Sequence, residues 1–175
     1  MTQVEGFRSA APPYVPVEVG AAEATGVAAL LQGRLGALTD LVLTLRHVRW
    51  NVTGPDAMAV HFMLDPQVEA VGLMVDADAD RIVALGGVPV GTIGALAARR
   101  AYADYSLGRA GVADHMTALD AFYSRVIEAH SAAIRATDEV DPITQELLIE
   151  QSDQLESFRQ FVRAYVEEPG LRARR

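Results

Sequence analysis

The chain has 175 residues, of which 50% are hydrophobic, 22% are charged and none is cysteine, and this length suits one domain with a sizeable core. The absence of cysteine excludes a disulfide scaffold, a cysteine nucleophile and every metal site with cysteine ligands. No apolar run reaches the roughly 20 residues of a membrane span, and the N-terminus lacks the basic and apolar regions of a secretory signal. We therefore expect a cytoplasmic protein with no membrane partner.

The net charge and the kinds of charged residue indicate which partners the protein favours. The formal net charge is −8, and all 15 basic residues are arginine, since the chain contains no lysine. Such a composition does not favour a basic groove for nucleic acid. A negative field can attract cations or simply keep a protein soluble, and the charge alone leaves both uses open.

Periodic apolar residues predict two long helices in the first half of the chain. Residues 1–20 contain three prolines and are predicted to form an irregular arm. Apolar positions then recur every three or four residues over 23–52 and again over 57–85, as one face of a helix requires. Glycine and proline residues separate the two helices and end the second one.

A long connection separates these helices from two more. Residues 86–108 are rich in glycine and are predicted to form a crossover with one short helix at 93–99. Two further periodic segments predict helices that begin near residues 112 and 143. Four long helices with a long connection between the second and third predict an all-α fold, the ferritin-like four-helix bundle. The predicted units are an N-terminal arm at 1–20, the bundle at 21–168 and an arginine-containing tail at 169–175.

One face of the second predicted helix carries four candidate metal ligands. They are His61, Asp65, Asp76 and Asp80. At 100° per residue these positions fall within about 100° of one another. His61 and Asp76 are nevertheless about 22 Å apart along the helix axis, too far for two ligands of one metal ion. The Glu-x-x-His motif of metal centres inside a single bundle is also missing from the sequence, so one chain alone cannot close the site.

A second subunit related by a two-fold axis would complete this site. An antiparallel partner brings the Asp76 end of one helix beside the His61 end of the other, and such an interface holds two equivalent sites. Gly72 lies on the same stripe near the midpoint, where the lack of a side chain allows close approach. Two simpler interpretations stay open, namely a solvated acidic face over 76–80 and a hydrogen-bonded interfacial histidine.

Three short motifs along the first two helices are specific enough to indicate a family. The motifs are Arg49-Trp50-Asn51-Val52-x-Gly54, Val60-His61-x-Met63-Leu64-Asp65 and Asp76-x-x-x-Asp80-Arg81. They resemble the signature of Dps proteins, the twelve-subunit mini-ferritins of bacteria, and the likeness covers roughly residues 22–168. The resemblance implies a hollow dodecamer that oxidises Fe(II), usually with hydrogen peroxide, and stores ferric mineral inside.

In this family the ferroxidase site combines two histidines and an aspartate of one subunit with an aspartate and a glutamate of the other. By resemblance, His61, Asp65 and Asp76 match three of these ligands. Arg49 stands where the family has a histidine, and Asp80 stands where it has the bridging glutamate. Arginine has no lone pair for a metal, and aspartate is one methylene shorter than glutamate. We therefore expect weakened or lost ferroxidase activity.

Arg49 is predicted to replace the metal by an ion pair. Its guanidinium can form a bidentate salt bridge with Asp76 of the partner subunit or with Asp80 of the partner subunit, and Trp50 is predicted to pack beside this interface. The leading function is iron sequestration and protection against oxidative stress. The alternative is a non-catalytic structural shell or a nucleoid-associated protein. A third reading is that another metal, such as Zn(II), uses the remaining ligands.

Two charged clusters lie outside this interface. An acidic row on the last helix is either a cation route through the three-fold pores of the family's shell or a solvated face, and it is formed by Glu146, Glu150 and Asp153. The C-terminal basic cluster is formed by Arg172, Arg174 and Arg175. Because the whole shell is strongly negative, we expect weak or absent DNA binding. Co-assembly with a competent paralogue stays open.

The remaining histidines and two tyrosines are interpreted as packing residues. His47 lies on another face of the first helix, and His130 continues the apolar stripe of the third long helix. His115 has no acidic partner that the sequence reveals. Tyr102, Tyr105 and Trp50 are also expected to pack, in preference to acting as radical sinks.

Overall fold

Helices account for most of the chain that the structure describes. In this computed structural model the described residues are 19–100 and 102–167. The elements in chain order are α1 (Ala21–Asn51), β1 (Val52–Thr53), α2 (Ala57–Ala84), α3 (Ile93–Arg99), β2 (Ala110–Gly111), α4 (Val112–Thr137) and α5 (Pro142–Glu167). The predicted all-α bundle, with a short helix between its second and third long helices, is confirmed.

The long helices pack as two pairs, α1 with α2 and α4 with α5, and α1 also contacts α4. Each helix turns its periodic apolar stripe toward the others, which is the packing that the sequence pattern predicts. One buried cluster includes Leu41, Leu45, Leu64, Met116 and Phe122. A second cluster, toward the other end of the bundle, includes Leu31, Leu35, Ile82 and Leu148.

The crossover (residues 85–111) is held along α1 by side-chain bonds. Three side chains of α1 hold it, and the pairs are Gln32 with Val90, Asp40 with Arg100 and His47 with Leu107. The Gln32 amide pairs twice, because Nε2 donates to the Val90 carbonyl over 2.9 Å and Oε1 accepts from the Val90 N–H over 2.7 Å. These contacts follow the same order along both segments, so the crossover runs in the direction of α1.

A short parallel pairing joins the end of α1 to the start of α4. Val52 pairs with Ala110, and Thr53 pairs with Gly111. The sequence analysis extends the first helix through residue 52, and this prediction is wrong at Val52, where β1 begins. Two residues are too few to show the alternation that marks a strand.

By length and composition, α1 is the one described helix that could cross a membrane. It instead supplies a large share of the bundle core, with Leu31, Leu38, Leu41 and Leu45 fully buried. Its apolar character is therefore that of a core helix.

The predicted arm and tail lie outside the described residues, apart from Val19 and Gly20 immediately before α1. The same holds for Arg172, Arg174 and Arg175.

Candidate functional site

The four candidate ligands of α2 lie on its outer face. His61 is half-buried, whereas Asp65, Asp76 and Asp80 are exposed. The opposite face of the same helix is buried in the core and includes Val60, Leu64, Val71, Met74 and Ile82. Within the described residues, no three His, Asp or Glu side chains come together to hold a metal ion. The site that two subunits would share stays a prediction.

A cleft of about 550 Å³ opens between α1 and α2 beside these residues. Two candidate ligands, Asp65 and Asp76, line it together with Arg46 of α1 and with Gly72. A Cβ atom built on Gly72 meets no atom within 4 Å. Nothing in the described protomer thus requires a glycine at this position, although glycine costs a helix about 1 kcal/mol relative to alanine.

Arg49, in the last turn of α1, contacts one of the candidate ligands directly. Its Nε donates a hydrogen bond to Asp65 Oδ1 over 2.5 Å. The two side chains are 38% and 50% exposed, so solvent screens the attraction between them. From the sequence, Arg49 is predicted to pair with carboxylates of a second subunit. The pair seen here lies within one chain, and a pair across an interface stays a prediction.

Large apolar side chains lie exposed in the same region of the chain. Trp50, Met58 and Phe62 are 70%, 61% and 72% exposed. They belong to the end of α1 and the first turns of α2, which also carry Arg49 and His61. Several large apolar side chains left exposed in one region are typical of an interaction surface. The packing of Trp50 beside an interface stays a prediction, which its exposure suits.

Two of the other histidines are held by hydrogen bonds inside the protomer. His47 Nε2 donates to the Leu107 carbonyl over 2.7 Å. His130 is fully buried, and its two ring nitrogens contact the Val126 carbonyl oxygen and Gln151 Oε1, each at 3.1 Å. The prediction of a core histidine at position 130 is confirmed.

Asp78 is a residue whose place the sequence analysis did not predict. The acidic stretch 76–80 suggests a solvated face, and this is wrong for Asp78, which is fully buried. Its Oδ1 accepts a hydrogen bond from Gln151 Nε2 over 3.0 Å, while Oδ2 has no partner. Burial raises the pKa of Asp78 to about 7, against the opposing effects of the Gln151 hydrogen bond and the Arg34 charge. The signal was its spacing, because Asp78 lies four residues before the buried Ile82.

The acidic row of the last helix is solvent-accessible in the protomer. Glu146, Glu150 and Asp153 are all exposed on α5. Their exposure suits both a pore lining and a solvated helix face.

Comparison with known proteins identifies relatives along most of the chain. The family description "Ferritin-like domain" matches residues 28–170. The DNA protection during starvation protein of Mycolicibacterium smegmatis is 46% identical over 148 residues, which are 85% of this chain and 81% of the relative. The fine tangled pili major subunit of Haemophilus ducreyi is 42% identical over 150 residues, which are 85% of this chain and 79% of the relative.

A solved structure shows the same likeness in three dimensions. DpsA14 from Streptomyces coelicolor matches with a TM-score of 0.87 and 47% sequence identity. The match covers 93% of this chain and 97% of the other. The likeness thus extends over the whole described bundle.

Proposed function

Because the chain belongs to the Dps family of ferritin-like proteins, we propose that it forms a hollow cytoplasmic shell, expected to be a dodecamer, that sequesters iron and limits oxidative damage. Fe(II) is the substrate of such a shell, and ferric mineral is its cargo. The observation that carries the proposal is the outer face of α2, which presents His61, Asp65, Asp76 and Asp80.

Antiparallel pairing of α2 with the same helix of a second subunit explains the spacing of these ligands. If the two-fold axis crosses the helix between residues 70 and 71, His61 faces Asp80 of the partner subunit, and Asp65 faces Asp76 of the partner subunit. Gly72 then lies next to the axis, where the open space above it lets two backbones approach. This pairing builds two equivalent sites in each dimer.

The side chains at this interface favour Fe(II) less than the full ligand set of the family does. His61, Asp65 and Asp76 supply nitrogen and oxygen donors that suit iron. Arg49 brings a fixed positive charge to the same place and already binds Asp65, and its guanidinium has no lone pair for a metal. Asp80 reaches less far than a glutamate. We therefore propose that Fe(II) oxidation at this interface is slow or lost.

The double substitution Arg49→His with Asp80→Glu tests this proposal. Purified shells are loaded anaerobically with Fe(II), mixed with hydrogen peroxide or oxygen by stopped flow, and followed by ferric absorbance against buffer. We expect the unmodified shell to oxidise Fe(II) little faster than buffer. The double variant should be faster by about tenfold or more, since even outer-sphere changes at metal sites alter activity by that factor.

Arg46→His is the matched control for this experiment. Arg46 lies on the same helix, one turn before Arg49, and lines the same cleft, so its substitution changes charge and adds a histidine without rebuilding the ligand set. An equal gain in the control would mean that charge alone matters. A double variant that forms intact shells by light scattering, yet gains nothing, would overturn the diagnosis at positions 49 and 80.

A non-catalytic structural shell is the second candidate function. The ion pair between Arg49 and Asp65 favours it, because it engages a candidate metal ligand within one chain. One relative is named as a pilus subunit, which is a structural role in that protein. Full assembly in the presence of a chelator, with no ferric product retained after Fe(II) loading, would favour this function. Titration calorimetry with Zn(II) would show whether His61, Asp65 and Asp76 serve another metal instead.

Three further features of the shell belong to this proposal. The acidic row formed by Glu146, Glu150 and Asp153 would guide cations inward if the start of α5 lines a pore. We propose weak or absent DNA binding, because a net charge of −8 per chain repels phosphate. Co-assembly with a subunit that carries the full ligand set would supply oxidation that this chain lacks.

A further inference from the structure

Tyr105 and His115 form a hydrogen-bonded pair between the crossover and α4. Tyr105 Oη lies 2.9 Å from His115 Nδ1 and donates to it when the imidazole proton is on Nε2, and the same oxygen lies 3.4 Å from the His115 carbonyl oxygen. The two rings are nearly parallel, with 4° between their planes and 6.0 Å between their centroids. His115 is fully buried in the first turns of α4. The phenol therefore directs its proton at an imidazole that solvent does not reach.

The surroundings keep both groups in the protonation states that this contact needs. Burial raises the pKa of Tyr105, so the phenol holds its proton. Burial lowers the pKa of His115, and backbone groups of Asn51 and Gly108 act in the opposite direction. The other ring nitrogen of His115, Nε2, has no hydrogen-bond partner among the described residues. A neutral ring with its proton on Nε2 leaves Nδ1 free to accept. Once the imidazolium forms, the charge of Asp114 favours it and His47 opposes it.

The other fully described tyrosines lack this arrangement. The Tyr102 ring lies under two guanidinium groups, Arg100 at 4.8 Å and Arg125 at 5.2 Å, and positive charge opposes the loss of an electron from a ring. Tyr123 donates to Gln67 Oε1 over 2.7 Å, and an amide oxygen is a poor base. In the part of the chain that the structure describes, Tyr105 alone donates to an imidazole nitrogen.

We propose that Tyr105 is a one-electron redox site whose phenolic proton passes to His115 when the ring is oxidised. The co-reactant is a strong one-electron oxidant, such as the hydroxyl radical, which gains the electron and becomes hydroxide. The O–H bond of Tyr105 breaks, and an N–H bond forms at His115 Nδ1. The products are a neutral tyrosyl radical and an imidazolium. A one-electron reductant such as a thiolate later restores the phenol, with the proton returned from His115.

The pair also contacts α1, the helix that carries Arg49. The ring of His47 packs edge-on against Tyr105, with 5.8 Å between centroids, and His47 lies two residues before Arg49 on α1. Two residues turn a helix by about 200°, so His47 and Tyr105 lie across α1 from Arg49 and the candidate metal interface. The inference does not rest on iron binding at that interface, because any one-electron oxidant that reaches the ring can start the step.

Photochemical oxidation of the assembled protein tests the proposal without iron. A photoexcited ruthenium tris-bipyridine complex with a sacrificial electron acceptor serves as the oxidant, and the radical is followed by transient absorption and electron paramagnetic resonance. We expect a neutral tyrosyl radical in the unmodified protein, formed more slowly in D₂O than in H₂O because a proton moves with the electron. Tyr105→Phe should lose this signal.

Tyr165→Phe is the matched control, since Tyr165 is a half-buried tyrosine of α5 and its substitution should leave the signal intact. His115→Gln should lower the radical yield and abolish the D₂O effect, with helicity and assembly checked first. If that variant does not fold, Tyr105→Phe and the D₂O comparison decide the matter. A signal that survives Tyr105→Phe, or radical formation equally fast in D₂O, would overturn the proposal.

Discussion

Asp78 sits among side chains from the other three long helices. Gln151 of α5 donates to it and also contacts His130 of α4, and the charge of Arg34 on α1 acts on it. The Asp78 carboxyl is fully buried with one oxygen unpaired. A buried carboxylate with so little compensation is costly in its charged form. At the scale of single residues, ionisation of Asp78 therefore opposes folding.

Asp78→Asn should make stability less dependent on pH. The pKa of Asp78 is raised from 3.8 to about 7 in the folded protein. The protonated carboxyl therefore stabilises the fold fully below the pKa that Asp78 has in the unfolded chain, and this stability is lost as pH rises through 7. We expect the variant to gain up to roughly 4 kcal/mol over the unmodified protein at pH 8, and little at pH 4. Thermal unfolding across this range measures the difference.

Glu156→Gln, on the exposed side of α5, is the control for that experiment. It removes one carboxylate from the surface and should leave the pH profile of unfolding unchanged. An Asp78→Asn protein that is no more stable at pH 8 than at pH 4, relative to the unmodified protein, would show that Asp78 ionises freely in the core.

At the scale of elements, the start of α5 is fastened to α2. Asp141 is almost fully buried just before α5, and Arg81 Nη2 donates to both of its carboxylate oxygens at 2.7 and 2.8 Å. The Thr144 N–H donates to Asp141 Oδ1, as in a helix N-cap, and Pro142 occupies the first helical position, where a missing N–H costs nothing. One carboxylate thus caps α5 and joins it to another helix.

Asp141→Asn should destabilise the bundle by about 3 kcal/mol at neutral pH, because it leaves the Arg81 guanidinium without its buried counter-charge. Burial alone would raise the pKa of Asp141, but the bonds from Arg81 and Thr144 outweigh it and lower that pKa. The stability from this pair is therefore present above the unfolded pKa and is lost as pH falls. The deficit of the variant should shrink below about pH 4, as chemical denaturation would show.

Asp138→Asn provides the comparison, since Asp138 is an exposed aspartate close to the same turn. It should cost little at any pH. If both variants were equally mild at pH 7, the bond between Arg81 and Asp141 would contribute nothing to the joining of α2 and α5.

At the scale of the whole molecule, the outer face of α2 is suited to pair with the same face of a second subunit across a two-fold axis. In the proposed dimer, the axis that pairs the candidate ligands would also set the exposed Met58 opposite Val83 of the partner subunit. Gly72 lies near the centre with open space above it. An interface with apolar ends, acidic side chains inside them and a glycine at the middle follows from this one symmetry.

Gly72→Leu should therefore prevent dimer and shell formation while leaving the helices intact. A Cβ atom at position 72 meets no atom of the described protomer within 4 Å, and we expect circular dichroism to show unchanged helicity. Size-exclusion chromatography with light scattering should show smaller species than the unmodified protein. Gly26→Leu adds the same side chain to an equally open position on α1 and should assemble normally. Normal shells from Gly72→Leu would contradict close approach of two α2 helices at this point.

Sequence periodicity was enough to predict the bundle, including a short helix at 93–99 that the structure places at Ile93–Arg99. The outer stripe of α2 could also be predicted, because helical geometry converts spacing into direction. The burial of Asp78 was harder to predict. Its acidic neighbours suggest a solvated face, although its spacing from Ile82 is that of a core residue. The contact between Tyr105 and His115 could not be predicted, because it crosses from an irregular segment to a helix and no local pattern encodes such a pairing.

The bonds that hold the crossover on α1 have a consequence for how the chain folds. The contacts of Gln32, Asp40, His47 and Thr53 with the crossover each join residues 57 to 60 positions apart. Such distant contacts become available only after α2 has folded back along α1, and non-local contacts of this kind slow folding. The helical hairpin should therefore form first and the crossover should dock late. A nascent chain that ends before residue 90 can build the hairpin of α1 and α2 but has none of these crossover contacts.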